Sequence, residues 1–248
     1  MTALGILIIL TMLALILFFV HRIKAGYEIH LRHIPALDRL PRLMSQAVES
    51  GQDIHVSVGT GGLTDPTAAT TLAGLAVLDY LAERGCGSGA PPVVTAADPM
   101  VMVAAQDSLR RAYRRHHRRQ DYSGTQVEMV APQPVIYALG ASTRLDPRET
   151  AANLMFGSFG SEALLLAEPG AQSGITQLAG TDDPQAMAML QAAVDDSVIG
   201  EELYAVPAYV SRIPAHVASL RAQDVLRMAV AALILIASVL ALLDIQLF

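Results

Sequence analysis

Residues 55–66 read HVSVGTGGLTDP and combine three signals that decide the fold. The run HVSV alternates polar and apolar residues as a strand does, three glycines follow within four positions, and Asp65-Pro66 ends the stretch. An aspartate at the N-cap accepts hydrogen bonds from free helix amides, and a proline at the first helical position needs no donor. Because an Ala- and Leu-rich segment comes next, the stretch predicts a strand, a glycine loop and a helix.

The Asp-Pro pair recurs at Asp98, Asp146 and Asp183, each time after a short run with strand character. Strands that alternate with helices are typical of a parallel sheet covered on both faces. We therefore expect an α/β fold with a Rossmann-like, mainly parallel sheet and helices on both faces. The expected strands are residues 54–58, 92–96, 127–130, 135–139, 163–167 and 175–179, and the expected helices are residues 40–48, 66–84, 99–119, 147–156 and 184–194.

Two details of this prediction depend on local spacing. Residues 163–167 and 175–179 are too close for a parallel crossover, which predicts an antiparallel pair or a strand-to-turn device. The segments GTGGLTDPTAAT and GASTRLDPRETA share the spacing from their first glycine to Asp-Pro. They indicate either two halves of a duplicated layout or independent use of the same capping chemistry.

The ends of the chain are strongly apolar. Residues 3–20 and 228–243 carry no charged side chain, and a membrane span needs about 20 apolar residues. The first stretch lacks the charged start and the small-residue cleavage site of a signal peptide, which favours an uncleaved anchor. For the second, a membrane span and a buried core helix are the alternatives. We predict an N-terminal and a C-terminal transmembrane helix.

Basic residues flank the central region and are absent from the outer tails. By the positive-inside rule the central domain is then cytoplasmic, and the single cysteine, Cys86, fits a reducing compartment. The predicted protein crosses the inner membrane twice. Its predicted parts are an anchor over residues 1–24, a juxtamembrane linker with a short helix over 25–52, the α/β domain over 53–213, and a helix continuing into the second anchor over 214–248.

Two glycine-containing loops are the candidate ligand sites. Both would fall at the carboxyl end of the sheet, where backbone amides can approach a phosphate or carboxylate. Neither matches a dinucleotide or P-loop pattern, and a tight structural turn is the alternative. The candidate residues are Gly59, Thr60, Gly61, Gly62 and Thr64 in the first loop, and Gly140, Ser142, Thr143 and Arg144 in the second.

Motifs for catalysis are missing. Residues 85–89 have glycine where a serine nucleophile elbow needs serine, residues 157–161 have the wrong spacing, and the seven histidines form no zinc pattern. We therefore predict no metal and no cofactor, with a nucleotide as the alternative for the cofactor, and the sequence assigns no catalytic residue.

Residues 110–119 hold six of the seventeen Lys and Arg side chains in a chain of net charge −6. On a helix they form two neighbouring stripes. They are typical of a solvated helix end, of contact with anionic lipid, or of an acidic surface on a partner. The acidic net charge argues against nucleic acid. The stripes are Arg110, Arg114 and Arg118, and Arg111, Arg115 and Arg119.

The run HVSVGTGGLTDPTAATTLAGLAVLDYLAERG, with an apolar segment on either side of the domain, resembles an uncharacterised family of bacterial membrane proteins known only as a domain of unknown function. The resemblance implies a bacterial membrane protein and transfers no activity.

Together these patterns predict a membrane-tethered, non-catalytic scaffold or subunit of an inner-membrane assembly, with the lipid bilayer and further copies of itself or other membrane-complex subunits as partners. The alternative is a nucleotide- or anionic-metabolite-binding module or enzyme that uses the two glycine-containing loops.

Overall fold

A computed structural model describes residues 3–27, 29 and 31–242. The chain divides into two compact units, one formed by Arg32–Ser211 and the other by Met1–Leu31 with Arg212–Phe248. The first is an α/β domain and the second holds the two apolar helices.

The α/β domain is built on six parallel strands in the order β3-β2-β1-β4-β5-β6. This is the strand order of the Rossmann fold, in which β1 and β4 lie side by side at the centre. The predicted Rossmann-like parallel sheet is therefore confirmed. Its strands are β1 (Asp53–Gly59), β2 (Val93–Ala96), β3 (Val127–Met129), β4 (Thr150–Ser158), β5 (Thr176–Thr181) and β6 (Asp196–Ile199).

Helices cover both faces of the sheet, as predicted. One face carries a continuous apolar core in which Val56 and Leu154 are fully buried, and the other face carries a second cluster around Met155 and Ala179. The odd and even positions of each strand supply opposite faces because side chains alternate along a strand. The first face is covered by α2 (Pro35–Ser50), α3 (Ala68–Ser88), α4 (Pro99–Arg115) and α8 (Glu202–Ser211), and the second by α5 (Pro134–Ser142), α6 (Ala163–Gln172) and α7 (Pro184–Leu190).

Several predicted elements need only small changes of boundary. The helix expected at 40–48 is part of α2, which ends at Gly51 in the left-handed conformation, and it packs within the domain instead of forming a linker. The helix expected at 66–84 begins at Ala68 and continues through the glycine-rich segment to Ser88, and Gly89 then ends α3. The helix expected at 99–119 ends at Arg115 and is followed by short 3₁₀ turns at Arg119–Asp121 and Gly124–Gln126.

Three predicted elements are wrong in type. Residues 135–139 and 163–167 are helical, within α5 and α6, and not strands. Residues 147–156 were expected to be a helix, but most of them form β4. Short apolar runs do not distinguish a strand from a buried helix, and β4 is buried on both faces, so it lacks alternation.

The correction to α6 also removes the expected antiparallel pair. Because α6 is a crossover, β4 and β5 pair in parallel. Strand β6 and helix α8 were not predicted.

The Asp-Pro pairs play different roles. Asp98 and Asp183 are true N-caps, each accepting two backbone N–H bonds at the start of α4 and α7. Asp65 closes a loop three residues before the start of α3, and Asp146 closes a turn that leads into a strand. The two segments proposed as a duplication therefore join different elements, and the duplication hypothesis is wrong.

The second unit contains α1 (Ala3–Lys24) and α9 (Pro214–Leu242), which pack against each other. Gly5–Lys24 and Pro214–Val239 are long and apolar enough to cross a membrane. At the end of α1 the Arg22 guanidinium lies 5.9 Å from the ring centroid of Phe18 and 4.7 Å from that of Tyr27. Residues 243–248 of the predicted second anchor lie outside the described residues.

The first and last residues of the α/β domain lie next to each other. The Tyr209 hydroxyl donates to the carbonyl oxygen of Arg32 at 2.5 Å, and the Arg32 side chain pairs with Glu202 at the start of α8. The chain thus enters and leaves the domain at one place.

Candidate functional site

In a sheet of this order, ligands usually bind at the carboxyl ends of β1 and β4, where the crossovers diverge. Here the two strand ends contact each other directly. The Thr60 amide donates to the Ser158 carbonyl at 2.9 Å, and the Thr60 hydroxyl donates to the same oxygen at 3.3 Å. Gly59 has φ +87°, and a Cβ there would lie 2.3 Å from that oxygen. The β1–β4 ladder therefore continues one residue beyond Gly59, where there is no room for a side chain.

The glycine loop that follows β1 is occupied by its own carboxylate. The Gly62 amide donates to one oxygen of Asp65 at 3.0 Å, and the Thr67 amide donates to the other at 2.8 Å. The Thr67 hydroxyl also donates to Asp65. These donors lower the pKa of the Asp65 carboxyl, with the Thr67 hydroxyl as the main cause. Asp65 thus takes the position that an anionic ligand would need.

Gly61 lies at a position of this loop that has no room for a side chain. A Cβ at this position would lie 2.5 Å from the Thr67 hydroxyl, 2.7 Å from the Thr71 hydroxyl and 2.8 Å from the Ser158 Cβ. The Thr71 hydroxyl is fully buried and has no hydrogen-bond partner among the described residues. Thr64, the remaining candidate of this loop, is exposed.

The second predicted loop lies elsewhere. Gly140 and Ser142 belong to α5, and Thr143 and Arg144 form the turn that leads to the amino end of β4. The hydroxyls of Ser142 and Thr143 donate to carbonyl oxygens of α5, and Arg144 pairs with Glu128 on β3. The expectation that both loops fall at the same end of the sheet is wrong, because residues 135–139 form a helix that carries the chain back to the opposite end.

Carboxylates at the carboxyl end of the sheet also have internal partners. Asp182, which follows β5, accepts from the Thr70 hydroxyl and the Tyr204 hydroxyl, both at 2.8 Å. Within the described part of the chain, no group of three His, Cys, Asp or Glu side chains could hold a metal ion.

A buried strip of polar side chains crosses four strands on the second face of the sheet, and the sequence analysis missed it. His55 Nδ1 lies 2.8 Å from the Asn153 Oδ1, and the Asn153 amide donates to the Gln177 Oε1 at 2.7 Å. His55 Nε2 lies 3.0 Å from the Thr95 hydroxyl, which lies 3.2 Å from the Tyr137 hydroxyl. All five side chains are at most 1 % exposed.

The groups of the strip satisfy one another. Burial is the main cause that lowers the pKa of His55 to about 4, so its ring is neutral at physiological pH. The signal for this strip was present in the sequence as polar residues at alternate positions of apolar strands, His55 and Ser57 in HVSVG for example. The strip therefore fixes strand register and offers no exposed reactive group.

The six arginines of residues 110–119 divide into two groups. Arg111 pairs with Asp79 and Asp107, Arg115 with Glu83 at 2.8 Å, and Arg118 with Asp121 at 2.7 Å. Two of these partners lie on the neighbouring helix α3, so this group joins α4 to the rest of the domain. The other group, Arg110, Arg114 and Arg119, makes no ion pair within the described residues and lines one surface cleft.

The family model described as "Domain of unknown function (DUF6754)" matches residues 2–248. The chain belongs to this family. No curated protein and no solved structure matches it.

Membership of the DUF6754 family confirms the predicted resemblance to an uncharacterised family. The match includes both apolar helices and the whole α/β domain, so the family model covers all of these parts together. The bacterial origin and the membrane location implied by the resemblance stay predictions.

Proposed function

We propose that this DUF6754 protein is a membrane-tethered, non-catalytic scaffold that assembles laterally with further copies of itself in a bacterial inner membrane. In this proposal α1 and α9 are the two membrane anchors, and the α/β domain lies on the cytoplasmic side, where the basic flanks favour it. Tethering restricts the domain to a layer beside the bilayer, which raises its effective concentration toward neighbouring copies.

The observation that carries the proposal is the internal carboxylate of the glycine loop after β1, where Asp65 accepts the backbone amides that an anionic ligand would use. An enzyme of this fold uses that place to bind its substrate or cofactor. In this chain, Thr60 continues the strand ladder to Ser158, and Asp65 accepts the Gly62 and Thr67 amides of the adjoining loop. A Rossmann domain whose loop amides are satisfied internally is better suited to presenting its outer surface.

A suitable surface for self-assembly lies on α5. Val135, Ile136 and Leu139 are each more than half exposed, although α5 has only nine residues. Helix α6, which packs beside α5, exposes Leu165. Exposed apolar side chains grouped on one helix face indicate a protein contact, and a second copy supplies a face of the same chemistry.

Mass photometry of the full chain in mild detergent tests the proposal. We expect a defined oligomer for the wild type and a shift to monomer for Ile136→Glu. The matched control is Val103→Glu, which places the same charge at an equally exposed apolar position on α4 and leaves the oligomer intact. A strictly monomeric wild type, or equal dissociation by both variants, contradicts the proposal.

A second function is favoured by one specific observation. The buried Thr71 hydroxyl beside Gly61 has no hydrogen-bond partner within the described part of the chain, which is a costly arrangement that a ligand donor or acceptor would relieve. The α/β domain would then be a binding module for a nucleotide or an anionic metabolite at the glycine loop, with Asp65 displaced.

Thermal unfolding of the full chain with ATP, NAD and inorganic phosphate separates this function from the scaffold. Thr71→Val is the appropriate variant because it removes the hydroxyl at constant shape, whereas any side chain at Gly61 would overlap its neighbours. A ligand-dependent rise of Tm that Thr71→Val abolishes supports the binding module. If no ligand raises Tm and Thr71→Val alone is stabilising by about 1 kcal/mol, the binding module is contradicted.

A further inference from the structure

The cleft at the end of α4 has a net positive charge, with three arginines and one aspartate in its lining. It has a volume of about 320 Å³ and is lined by Asp107, Arg110, Tyr113, Arg114, Arg119 and Tyr122. The carboxylate of Asp107 is engaged by Arg111, which lies outside the cleft lining. The three guanidinium groups of the lining form no ion pair within the part of the chain that the structure describes.

The local backbone brings these groups together. Helix α4 ends in a Schellman turn, in which the His117 amide donates to the Arg114 carbonyl at 3.3 Å and the Arg118 amide to the Tyr113 carbonyl at 2.9 Å. His117 occupies the left-handed position with φ 58°, which glycine normally takes. The turn reverses the chain, so Arg119 and Tyr122 lie beside the last turns of α4.

Aromatic rings hold part of the cleft in place. The Arg110 guanidinium lies 5.2 Å from the ring centroid of Tyr122, which packs edge-on against Tyr113 at 5.8 Å. A cation–π contact fixes the direction of the guanidinium without neutralising its charge. Arg110 is therefore oriented before any ligand arrives, which lowers the entropic cost of binding.

We propose that this cleft binds a phosphate monoester, through charge-assisted hydrogen bonds from Arg110, Arg114 and Arg119. A carboxylate offers two oxygens and one charge, which a single arginine fork satisfies. A phosphate monoester offers three terminal oxygens and a charge near −2, so it offers one acceptor oxygen for each of the three guanidinium groups that line the cleft. The proposal is independent of the scaffold function, because it concerns α4 and not the face of α5.

Isothermal titration calorimetry on the full chain in phosphatidylcholine nanodiscs tests the site. The soluble probes are glycerol 3-phosphate and inorganic phosphate, with citrate as the carboxylate comparator. Dihexanoyl phosphatidic acid presents the same phosphate monoester on a lipid. Tighter binding of this lipid than of glycerol 3-phosphate identifies a lipid headgroup as the source, and equal binding identifies a soluble phosphate ester.

Two adjacent arginines supply a matched pair of variants. Arg114→Gln removes a cleft arginine, and we expect about tenfold weaker binding of glycerol 3-phosphate. Arg115→Gln removes the same charge from the next residue of α4, where Glu83 is the partner, and we expect less than about a twofold change. The triple variant Arg110→Gln/Arg114→Gln/Arg119→Gln abolishes binding.

Several results would overturn the assignment. These are equal weakening by Arg114→Gln and Arg115→Gln, no saturable binding of either soluble phosphate or the lipid, and citrate binding as tight as that of glycerol 3-phosphate. Tighter binding of a single-stranded RNA would also exclude a monoester site. Both single variants change exposed side chains, so the thermal unfolding of each, measured without ligand, verifies that the fold is intact.

Discussion

The glycine loop after β1 and the arginine cleft at the end of α4 both contain groups that attract anions, and they differ in the source of the counter-charge. In the loop, Asp65 of the same chain accepts the Gly62 and Thr67 amides. In the cleft, Arg114 and Arg119 have no carboxylate partner among the described residues, although Arg111 and Arg115 on the same helix do.

This difference separates a structural motif from a candidate binding site. A loop whose donors are satisfied internally gains stability and loses the capacity to bind, while unpaired like charges cost stability and are available to a ligand. Substitutions should therefore lower stability in the loop and leave it unchanged or higher in the cleft.

The largest effect is expected at Gly61. Gly61→Ala introduces a Cβ within 3 Å of three atoms, and we expect it to lower the free energy of unfolding by about 3 kcal/mol. Thermal unfolding of the full chain measures this. Gly124→Ala, near the cleft, is the control because a Cβ there meets nothing within 4 Å. Equal stability of the two variants would contradict the tight packing of the loop.

The polar strip on the second face of the sheet provides a pH-dependent reference. Burial lowers the pKa of His55 from 6.5 to about 4. Between these values the unfolded chain binds a proton that the folded chain does not, so stability falls as the pH decreases through this window, by up to about 3 kcal/mol.

His55→Gln tests the origin of this dependence. We expect Tm of the variant to vary less between about pH 6.5 and pH 4 than Tm of the wild type. The comparison is made on the full chain at constant ionic strength. An unchanged pH profile would show that His55 is not the group responsible.

A smaller effect is expected at Asp65. Asp65→Ala leaves the Thr67 amide without its acceptor and the Gly62 amide with only the Thr67 hydroxyl at 3.2 Å, and we expect Tm to fall by roughly 3–6 °C. Arg114→Gln, which removes a charge from the cleft, should not lower Tm. If Asp65→Ala leaves Tm unchanged, the carboxylate does not close the loop in solution.

The smallest effect is a gain at the turn beside the cleft. His117→Gly places glycine at a left-handed position that a side chain disfavours, and we expect a stabilisation of about 0.5–1 kcal/mol. Thermal unfolding measures the gain, and Arg119 keeps its place in the cleft if phosphate binding is unchanged. A loss of stability would indicate that the His117 side chain makes a stabilising contact.

The fold class could be predicted from the sequence because its evidence is local. The alternation in HVSVG and the caps at Asp98 and Asp183 each depend on a few neighbouring residues. Strand β4 could not be recognised in the same way. Its Ala, Leu and Met content favours a helix, and only its place at the centre of the sheet, covered on both faces, makes it a strand.

The candidate sites were predictable to a lesser extent. The arginine run was visible, but its division into paired and unpaired groups depends on the position of Asp79 and Glu83 across the α3–α4 contact. The polar strip depends on strand register, which places His55 beside Asn153 and Asn153 beside Gln177. Such long-range pairing cannot be read from a single sequence.

The contact between Tyr209 and Arg32 has a consequence for the whole chain. The α/β domain begins and ends at one place. The entropy cost of bringing α1 and α9 together is therefore that of closing a short turn, which is lower than the cost of closing a long flexible linker. Topologically the protein is a pair of helices with a complete domain inserted between them. Domains with adjacent termini tolerate such insertion, and the helices could be connected by other sequences with little change in the entropy of their pairing.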